Sequence, residues 1–416
     1  MPVLVQPIRS DLGYVACGKQ SVGGTSVAPN VFPRFFDGSA LSITAKIEDV
    51  WEGDGSRRMG SMVRNLQEVA IKLTIAPRPN EIGFFETMAQ GAGSDTYAAP
   101  TVNTTLSALT LANATSITVA ANTGLTGSGT IALVLSAGTV REEIAIFNIP
   151  ATGSGPYTLT VASTYNGGHL LLAHSSADTV QTAGTHVITD QSDGSYYTFE
   201  VSLGGTAGII IRVRDCKCKT LKRSAKAGSI LMYELEVQGI ACVAQVSAAT
   251  LTFDPHPYVL FTYGVWTLDG STTGDALAVD SFDISQNNNP DTTIQTEQVT
   301  LAAIIFGNLG LDVGLSIIYQ NGNRIAETYF GSATGTTDAQ ALFVGSLLLV
   351  FALPDTLNSV TYSIPSMTYT KAEPPALKKD GKAFRQALSA TSTSNFAQNP
   401  YLLETTVANT SYAAYG

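Results

Sequence analysis

Four histidines are the side chains of this chain best suited to metal binding or acid–base catalysis. His169 and His174 lie five residues apart in the segment GGHLLLAH, and the other two are His186 and His256. On a strand, a spacing of five turns two side chains to opposite faces, and on a helix it falls outside the three- or four-residue spacing of neighbours. We therefore expect no metal site at these histidines.

The segment Glu52-Gly-Asp54-Gly55 hints at a calcium-binding loop, because carboxylate oxygens are the ligands that calcium prefers. It lacks the further acidic residues at the required spacing and the distal glutamate. The sequence also shows no glycine-rich phosphate loop, nucleophile elbow or HExxH motif. A glycoside hydrolase would need two facing carboxylates, and the acidic residues here are scattered in loops without aromatic platforms. We predict that the protein is not an enzyme and binds no cofactor or metal.

A run of basic residues, Lys217–Lys226, raises the question of nucleic-acid binding. The run has no interleaved aromatic residues, and Glu234 and Glu236 follow on the returning strand of a predicted hairpin. Across a hairpin, acidic side chains can pair with basic ones. The formal net charge of −10 also disfavours a surface that clamps phosphates. We expect this strand pair to face solvent or another subunit.

The 416 residues are enough for two or three domains, and a hydrophobic share of 44% supports folded cores. The start Met1-Pro-Val shows no secretory signal, and the longest apolar run, Leu347–Leu353, is too short to span a bilayer. These features predict a soluble protein made in the cytoplasm. The cysteines are expected to be buried or strand-borne thiols of a reducing compartment. They are Cys17, Cys216, Cys218 and Cys242.

One strand–turn–helix pattern occurs twice, in Glu68–Gln90 and again in Asp312–Ala333, about 244 residues later. Each copy begins with the period-2 alternation of a half-buried strand and continues, after a turn, into apolar residues three or four apart, which predict a short helix. The pattern indicates two related domains, with chance similarity as the alternative. The aligned strand residues are Val69, Ile71, Leu73 and Ile75 with Val313, Leu315, Ile317 and Tyr319, and the helix residues are Ile82, Phe85 and Met88 with Ile325 and Tyr329.

Composition divides the rest of the chain. Between residues 101 and 190, short apolar alternations separated by Gly and Ser turns occur with very few charges, which predicts an inserted all-β module. The proline-rich segment Asp254–Pro257 predicts a linker between the two halves. The predicted order is an N-terminal arm (1–40), a first domain (41–100 plus 191–250) that carries the insert (101–190), a second domain (251–404) and a C-terminal tail (405–416).

Four segments of the first half resemble tail tube proteins of long-tailed, siphovirus-like bacteriophages. The hairpin carries the most characteristic pattern, in which small polar residues and a turn precede an alternating strand that ends at Gly239. The second half shows the same order more loosely, and the insert resembles a small β-module that recurs in phage structural proteins. The four segments are Gly13–Phe35, Glu48–Arg58, Pro77–Gly93 and Arg214–Gly239.

The resemblance implies a mainly β fold with two tail-tube-like β-sandwich or split-barrel domains, each with one short helix, plus the inserted all-β module. It implies a structural virion protein that self-assembles into stacked rings, forming the hollow tail tube through which DNA is delivered. A trimeric ring with pseudo-sixfold symmetry is favoured by the repeat, and a hexameric ring is the alternative. The expected partners are the tape measure protein and DNA in the lumen, without specific binding, and other tail proteins at the tube ends. The expected location is the virion tail, assembled in the host cytoplasm, with no membrane contact.

By the same resemblance, the loops at 48–58 and 286–295 would reach the adjoining ring. An exposed Trp51 in a polar loop suits a partner surface, although Trp51 could instead cap the core of its own domain. The inserted module is expected to point outward, where it would stiffen the tube or attach weakly to host-surface sugars. The main alternative function is that of a β-rich adhesin or carbohydrate-binding virion protein. The predicted inter-ring residues are Trp51, Glu52, Asp54, Arg57, Arg58, Asn287, Asn288 and Asn289.

Overall fold

A computed structural model describes most of the chain, and the protein is mainly β, as predicted, with 49% strand and 9% helix. The strand pairs in the described residues are antiparallel. At 45–50 and 61–66 only the backbone is described. The described residues are 13–50, 61–91, 93–125, 128–136, 142–150, 156–191, 194–204, 209–294, 301–338, 342–375, 383–394 and 400–415.

The described chain contains two α-helices, α1 (Pro79–Gln90) and α2 (Asn323–Phe330). The strands are β1 (Tyr14–Lys19), β2 (Ala40–Val50), β3 (Ser61–Ile75), β4 (Asp95–Ala98), β5 (Asn103–Thr105), β6 (Ser116–Val119), β7 (Gly129–Leu135), β8 (Glu143–Ile149), β9 (Tyr157–Val161), β10 (Thr179–Gln181), β11 (Gly184–Thr189), β12 (Tyr197–Leu203), β13 (Ile209–Lys226), β14 (Met232–Gly239), β15 (Ala241–Gln245), β16 (Gly264–Leu268), β17 (Val279–Asn287), β18 (Gly310–Ile318), β19 (Val344–Ala352), β20 (Ser359–Ala372), β21 (Arg385–Ser392) and β22 (Glu404–Asn409).

One order of strands occurs twice in the large sheet. The order β2-β3-β14-β13 in the first half is followed directly by β17-β18-β21-β20 in the second. The long strands β13 and β20 each pair first with the preceding strand, β12 or β19, and then with the following strand, β14 or β21. In each unit a second layer of strands continues from the long strand: β1 pairs with β12 in the first half, and β16 pairs with β19 in the second. We call β1–β3, α1 and β12–β15 unit 1, and β16–β18, α2 and β19–β22 unit 2.

Bulges show which residues of the two units correspond. A bulge interrupts the ladder of the long strand after Cys218 in β13 and after Tyr369 in β20. Following the pairing from these residues through β14 and β21 makes Ile71 the counterpart of Val313. The sequence alignment, which placed Val69 opposite Val313, was therefore two residues out of register. A two-residue shift keeps every side chain on its face, so the predicted inward-facing residues are buried, except Tyr319, which follows β18 and is half-buried.

The two helices differ in how they pack. Helix α1 begins at Pro79, and Glu81 accepts a hydrogen bond from the Arg78 backbone N–H at 3.0 Å, which caps its first turn. Its predicted apolar face is confirmed, because Ile82, Phe85 and Met88 are all buried. In α2 the prediction was only partly right. Ile325 is half-buried against the core, but Tyr329 is exposed and the buried side chain is Arg324, paired with three carboxylates.

The insert has its own sheet and core. Strands β5 to β10 form a six-stranded sheet in the order β5-β10-β7-β8-β9-β6, and buried residues such as Leu133, Phe147 and Leu159 fill its interior. The flanking strands β4 and β11 pair with each other, and β11 pairs with β22 of the large sheet. The separate sheet therefore covers 103–181, which is narrower than the predicted 101–190.

Three predicted connecting segments are parts of the folded body. The strand β1 lies within the predicted arm and is buried against β12. The strand β22 lies at the predicted C-terminal tail, between β20 and β11. The predicted linker is fixed to α1, because Asp254 accepts a hydrogen bond from the Asn80 N–H at 3.0 Å. One continuous hydrophobic core runs through both units.

Candidate functional site

The two units join edge to edge along β13 and β17. The ladder runs from Thr220 opposite Asn287 to Lys226 opposite Ser281. It uses the edge of β13 beyond the residues that pair with β12, and the edge of β17 that faces away from β18. The strand β17 of unit 2 is thus attached to the C-terminal half of the long strand β13 of unit 1.

A buried ion pair lies under this junction. The Arg223 guanidinium donates to the Glu86 carboxylate at 2.6–3.2 Å and to the Gln286 side-chain oxygen at 3.0 Å. Both charged side chains are fully buried. Burial alone would lower the pKa of Arg223, but the adjacent Glu86 carboxylate holds it above its usual value. The Tyr233 hydroxyl, which also donates to Glu86 at 2.5 Å, has its pKa raised by burial and by that carboxylate.

Each unit leaves the matching edge unpaired. In the described part of the chain, β2, the counterpart of β17, pairs with β3 alone. The β20 edge that pairs with β19 is covered only as far as Thr368. After Thr368, no described strand pairs with this edge of β20. The distal end of β20 at Lys371–Ala372 corresponds to the part of β13 that holds β17. The two edges that pair in the junction, those of β17 and β13, therefore have counterparts in β2 and β20 that no described strand covers.

Exposure of apolar residues marks the free edge of β2. Leu41 pairs with Ile71 as Ile284 pairs with Val313, so Leu41 and Ile284 are counterparts. Ile284 is fully buried, whereas Leu41 is half-buried and Ile43, two residues further, is 43% exposed. Long apolar edges of this kind template pairing with another chain unless something covers them.

An apolar groove opens beside the same edge, between the β1–β12 layer and the β2–β3 layer. Its volume is about 440 Å³. It is lined by apolar side chains that include Val15, Phe35, Leu41, Leu203 and Ile209. Leu203 and Ile209 are each more than half exposed. The groove, the β2 edge and the β20 end make up the candidate site.

Most of the predicted inter-ring residues lie outside the described residues. They are Trp51, Glu52, Asp54, Arg57 and Arg58, in the segment 51–60 that connects β2 to β3.

The asparagines predicted to make inter-ring contacts follow the end of β17. Asn288 is buried and donates to the backbone oxygens of Ala89 at 2.9 Å and Cys218 at 3.1 Å, so its amide is used inside the chain. Asn289 is exposed and donates to the Asn308 oxygen, and Asn287 is half-buried at the end of the junction ladder. An inter-ring contact stays a prediction for Asn287 and Asn289, while the contacts of Asn288 indicate a structural role.

The histidines are held in hydrogen bonds rather than gathered at one site. His186 contacts Asp95 at 3.0 Å and the Ser411 backbone oxygen at 3.1 Å, and is fully buried. His169 is exposed, and its ring Nδ1 lies 3.2 Å from the Asn113 backbone oxygen. No group of His, Cys, Asp or Glu within the described ranges could hold a metal ion.

The arrangement around His174 in the insert has the order of a catalytic triad. Its Nδ1 lies 2.9 Å from the Ser136 hydroxyl and its Nε2 lies 2.9 Å from the Glu143 carboxylate. A nucleophile would have to give its proton to the histidine, but the Ser136 hydroxyl donates to Asp178 at 2.8 Å and is only 5% exposed. Glu143 also accepts the backbone N–H of Leu171, which fixes the following loop. The cluster stabilises the insert.

His256 connects the insert to the body. Its Nδ1 lies 2.5 Å from Asp254, and its Nε2 lies 3.1 Å from Glu142, the residue before the insert's β8. Burial alone would lower the pKa of His256, but the hydrogen bonds to Asp254 and Glu142 raise it to about 10. Sequence reasoning placed His256 in a linker and missed this contact, because no local pattern relates it to Glu142.

The thiols of Cys17, Cys216 and Cys218 are buried on β1 and β13, as expected. Burial raises the pKa of Cys218 to about 12. None of the helices in the described residues has the length and hydropathy required to cross a bilayer. No protein-family model matches the chain, and no curated protein matches it significantly.

Proposed function

We propose that this protein is a structural virion protein whose copies join head to tail into closed rings, which stack into the hollow tail tube of a long-tailed bacteriophage. The observation that carries the proposal is the β13–β17 junction. It joins two similar units edge to edge, and among the described residues the corresponding edges, β2 and the end of β20, have no strand paired to them. A surface that joins unit 1 to unit 2 within the chain supports the same join between unit 2 and unit 1 of the next copy.

Head-to-tail association of this kind closes when the rotation per copy divides a full turn. Closure also removes the free strand edges, which otherwise favour uncontrolled aggregation. Because each chain supplies two similar units, three chains would give a ring of six units with pseudo-sixfold symmetry. A ring of six chains is the alternative if the two units do not occupy equivalent positions.

The polar face of the large sheet suits a channel that DNA crosses without adhering. Two of its basic residues lie beside acidic ones: Lys219 contacts Glu236 at 2.9 Å, as the sequence predicted for this hairpin, and Lys222 lies 3.9 Å from Asp283. These carboxylates reduce the positive charge that Lys219 and Lys222 offer to phosphates. We assign this face to the lumen, where DNA and the tape measure protein would pass without specific binding, while other tail proteins would meet the tube ends.

The loops 48–58 and 286–295 would contact the adjoining ring, with Trp51 and its neighbours in the first and Asn287 and Asn289 in the second. The insert lies on its own sheet outside the two-unit body, which suits an outward position on a tube. The insert's own sheet takes no part in the β2 and β20 edges, so the proposed ring does not depend on it.

Negative-stain electron microscopy of the purified full chain tests the proposal. We expect hollow rings or tubes that show three outer knobs per ring, one for each insert. Six knobs would keep the tube and replace the trimer with a hexamer. Monomers that do not associate at any concentration would contradict the proposal and favour the adhesin.

A further inference from the structure

The apolar groove of unit 1 has a counterpart in unit 2 that is already filled. Following the pairing from the two bulges makes Ser39, Val15 and Leu203 the counterparts of Phe282, Trp266 and Phe351. In unit 2 the aromatic rings pack on one another, with centroids 5.2 Å apart for Trp266 and Phe282 and 6.0 Å for Phe282 and Phe351. The smaller residues of unit 1 leave the groove of about 440 Å³ instead.

A residue of unit 1 lies in the same part of the core as this aromatic cluster. Leu231 is only 1% exposed, belongs to the shared core and donates its backbone N–H to the Val259 oxygen at 2.8 Å. The strand pairing explains this position. Ala225 of β13 is opposite Phe282 of β17, and on its other side it lies beside the start of β14, which Leu231 immediately precedes. The β13–β17 junction therefore places Leu231 next to unit 2.

The counterpart of Leu231 is Phe384, since both lie six residues before the residue that pairs at the bulge, Val237 in β14 and Ala390 in β21. Phe384 is 37% exposed. We propose that the Phe384 ring of a second copy of this chain occupies the apolar groove of unit 1. The inference rests on the proposed function, because it names the side chain that fills the site between copies.

The sizes of the side chains support this occupant. Within the chain, a leucine accompanies three aromatic rings. Between copies, the larger Phe384 would accompany Ser39, Val15 and Leu203, so the incoming ring returns part of the volume lost from the groove. Close packing of this kind is what buried interfaces share with protein interiors.

Two neighbouring features distinguish this end of unit 2 from the internal junction. Gln386 is 1% exposed, and neither its side-chain oxygen nor its nitrogen has a partner in the described chain. Its counterpart Tyr233 bonds across the junction to the Tyr362 hydroxyl at 2.5 Å. In addition, Pro374 and Pro375 follow β20 and lack the N–H groups that would lengthen a ladder with β2. A short ladder needs side-chain packing to hold the copies together.

Photocrosslinking tests the inference with full-length chain. Phe384 is replaced by p-benzoylphenylalanine, and nitrogen-15-labelled and unlabelled chains are mixed before assembly so that crosslinks between copies can be recognised by mass. We expect crosslinks from position 384 to peptides that contain Ser39–Leu41 or Leu203 of the other copy. The same probe at Leu109, an exposed residue of the insert, should give no crosslink to these peptides.

Substitution gives a second readout. Phe384→Ser should raise the concentration for half-assembly by about 30-fold, equivalent to about 2 kcal/mol. Phe384→Leu should raise it less, because leucine still buries an apolar side chain but leaves more of the groove unfilled. Leu348→Ser is the matched control, since Leu348 is also 37% exposed. Rings with crosslinks elsewhere would overturn the groove assignment and leave the proposed function intact. Absence of any assembly by the unsubstituted chain would overturn both.

Discussion

Replacing Glu86 by glutamine should destabilise the whole two-unit body. Glu86 lies on α1 of unit 1, and Arg223, which it neutralises, donates to Gln286 of unit 2. In the Glu86→Gln variant the guanidinium would remain buried without a counter-charge, and the new NH₂ group would face N–H donors if it turned toward Arg223. The loss is therefore larger than that of one hydrogen bond.

The size of the effect follows from burial. Both side chains are fully buried, and removing one partner of such a pair costs about 3–5 kcal/mol in the free energy of unfolding. Lys219 and Glu236 offer the contrast, because their side chains are 44% and 39% exposed and a surface pair contributes about 0–1 kcal/mol. Arg223→Met in the Glu86→Gln background should recover much of the loss, since it removes the unpaired charge.

Urea unfolding followed by circular dichroism, at a concentration where light scattering shows no assembly, measures these differences. Glu86→Gln should lower the midpoint strongly and Lys219→Met should change it little. Equal losses for the two variants would refute the reasoning, as would a double variant less stable than Glu86→Gln alone.

Three further outcomes are expected. The raised pKa of His256 stabilises the fold below about pH 6.5, and this contribution is lost as the pH rises through about 10. His256→Gln should therefore lower the free energy of unfolding by about 2 kcal/mol at pH 6, measured by urea unfolding, and the stabilities of the two proteins should converge above pH 10. Burial raises the pKa of Glu81 to about 7, so the chain should lose stability between pH 4.5 and 7 relative to Glu81→Gln; parallel pH profiles would contradict this. His174→Ala should make the insert sensitive to limited proteolysis while ring assembly, scored by electron microscopy, continues; loss of rings would contradict its local role.

Local patterns in the sequence predicted much of the fold. The alternation from Val69 to Ile75 identified the buried face of β3, and the spacing of Ile82, Phe85 and Met88 identified the buried side of α1. Both predictions succeeded because they depend on periodicity, which neighbouring residues determine. The two-residue error in aligning the repeats arose from the same source, since periodicity fixes the face of a residue but not its register.

The site itself depends on contacts between distant segments. Arg223 belongs to a basic run that was expected to face solvent or a subunit, yet it is buried, because Glu86 supplies the counter-charge from a helix 137 residues away. Likewise, Ile43 and Phe384 look like ordinary strand residues in the sequence. Only the comparison of ladders shows that their positions in the other unit are buried.

Disulfide crosslinking of the two free edges tests head-to-tail closure most directly. Thr44 and Lys371 correspond to Asn287 and Thr220, which are opposite each other in the internal junction. The Thr44→Cys, Lys371→Cys chain should form disulfides between copies when assembled protein is oxidised.

Denaturing gels should then show dimers and trimers, with the trimer as the largest closed product; a series that ends at six would indicate the hexamer. The unsubstituted chain, each single variant, and Thr44→Cys with Thr361→Cys, ten residues away along β20, should remain uncrosslinked. Assembled rings that give no disulfide between positions 44 and 371, or equal disulfide in the displaced pair, would contradict the account.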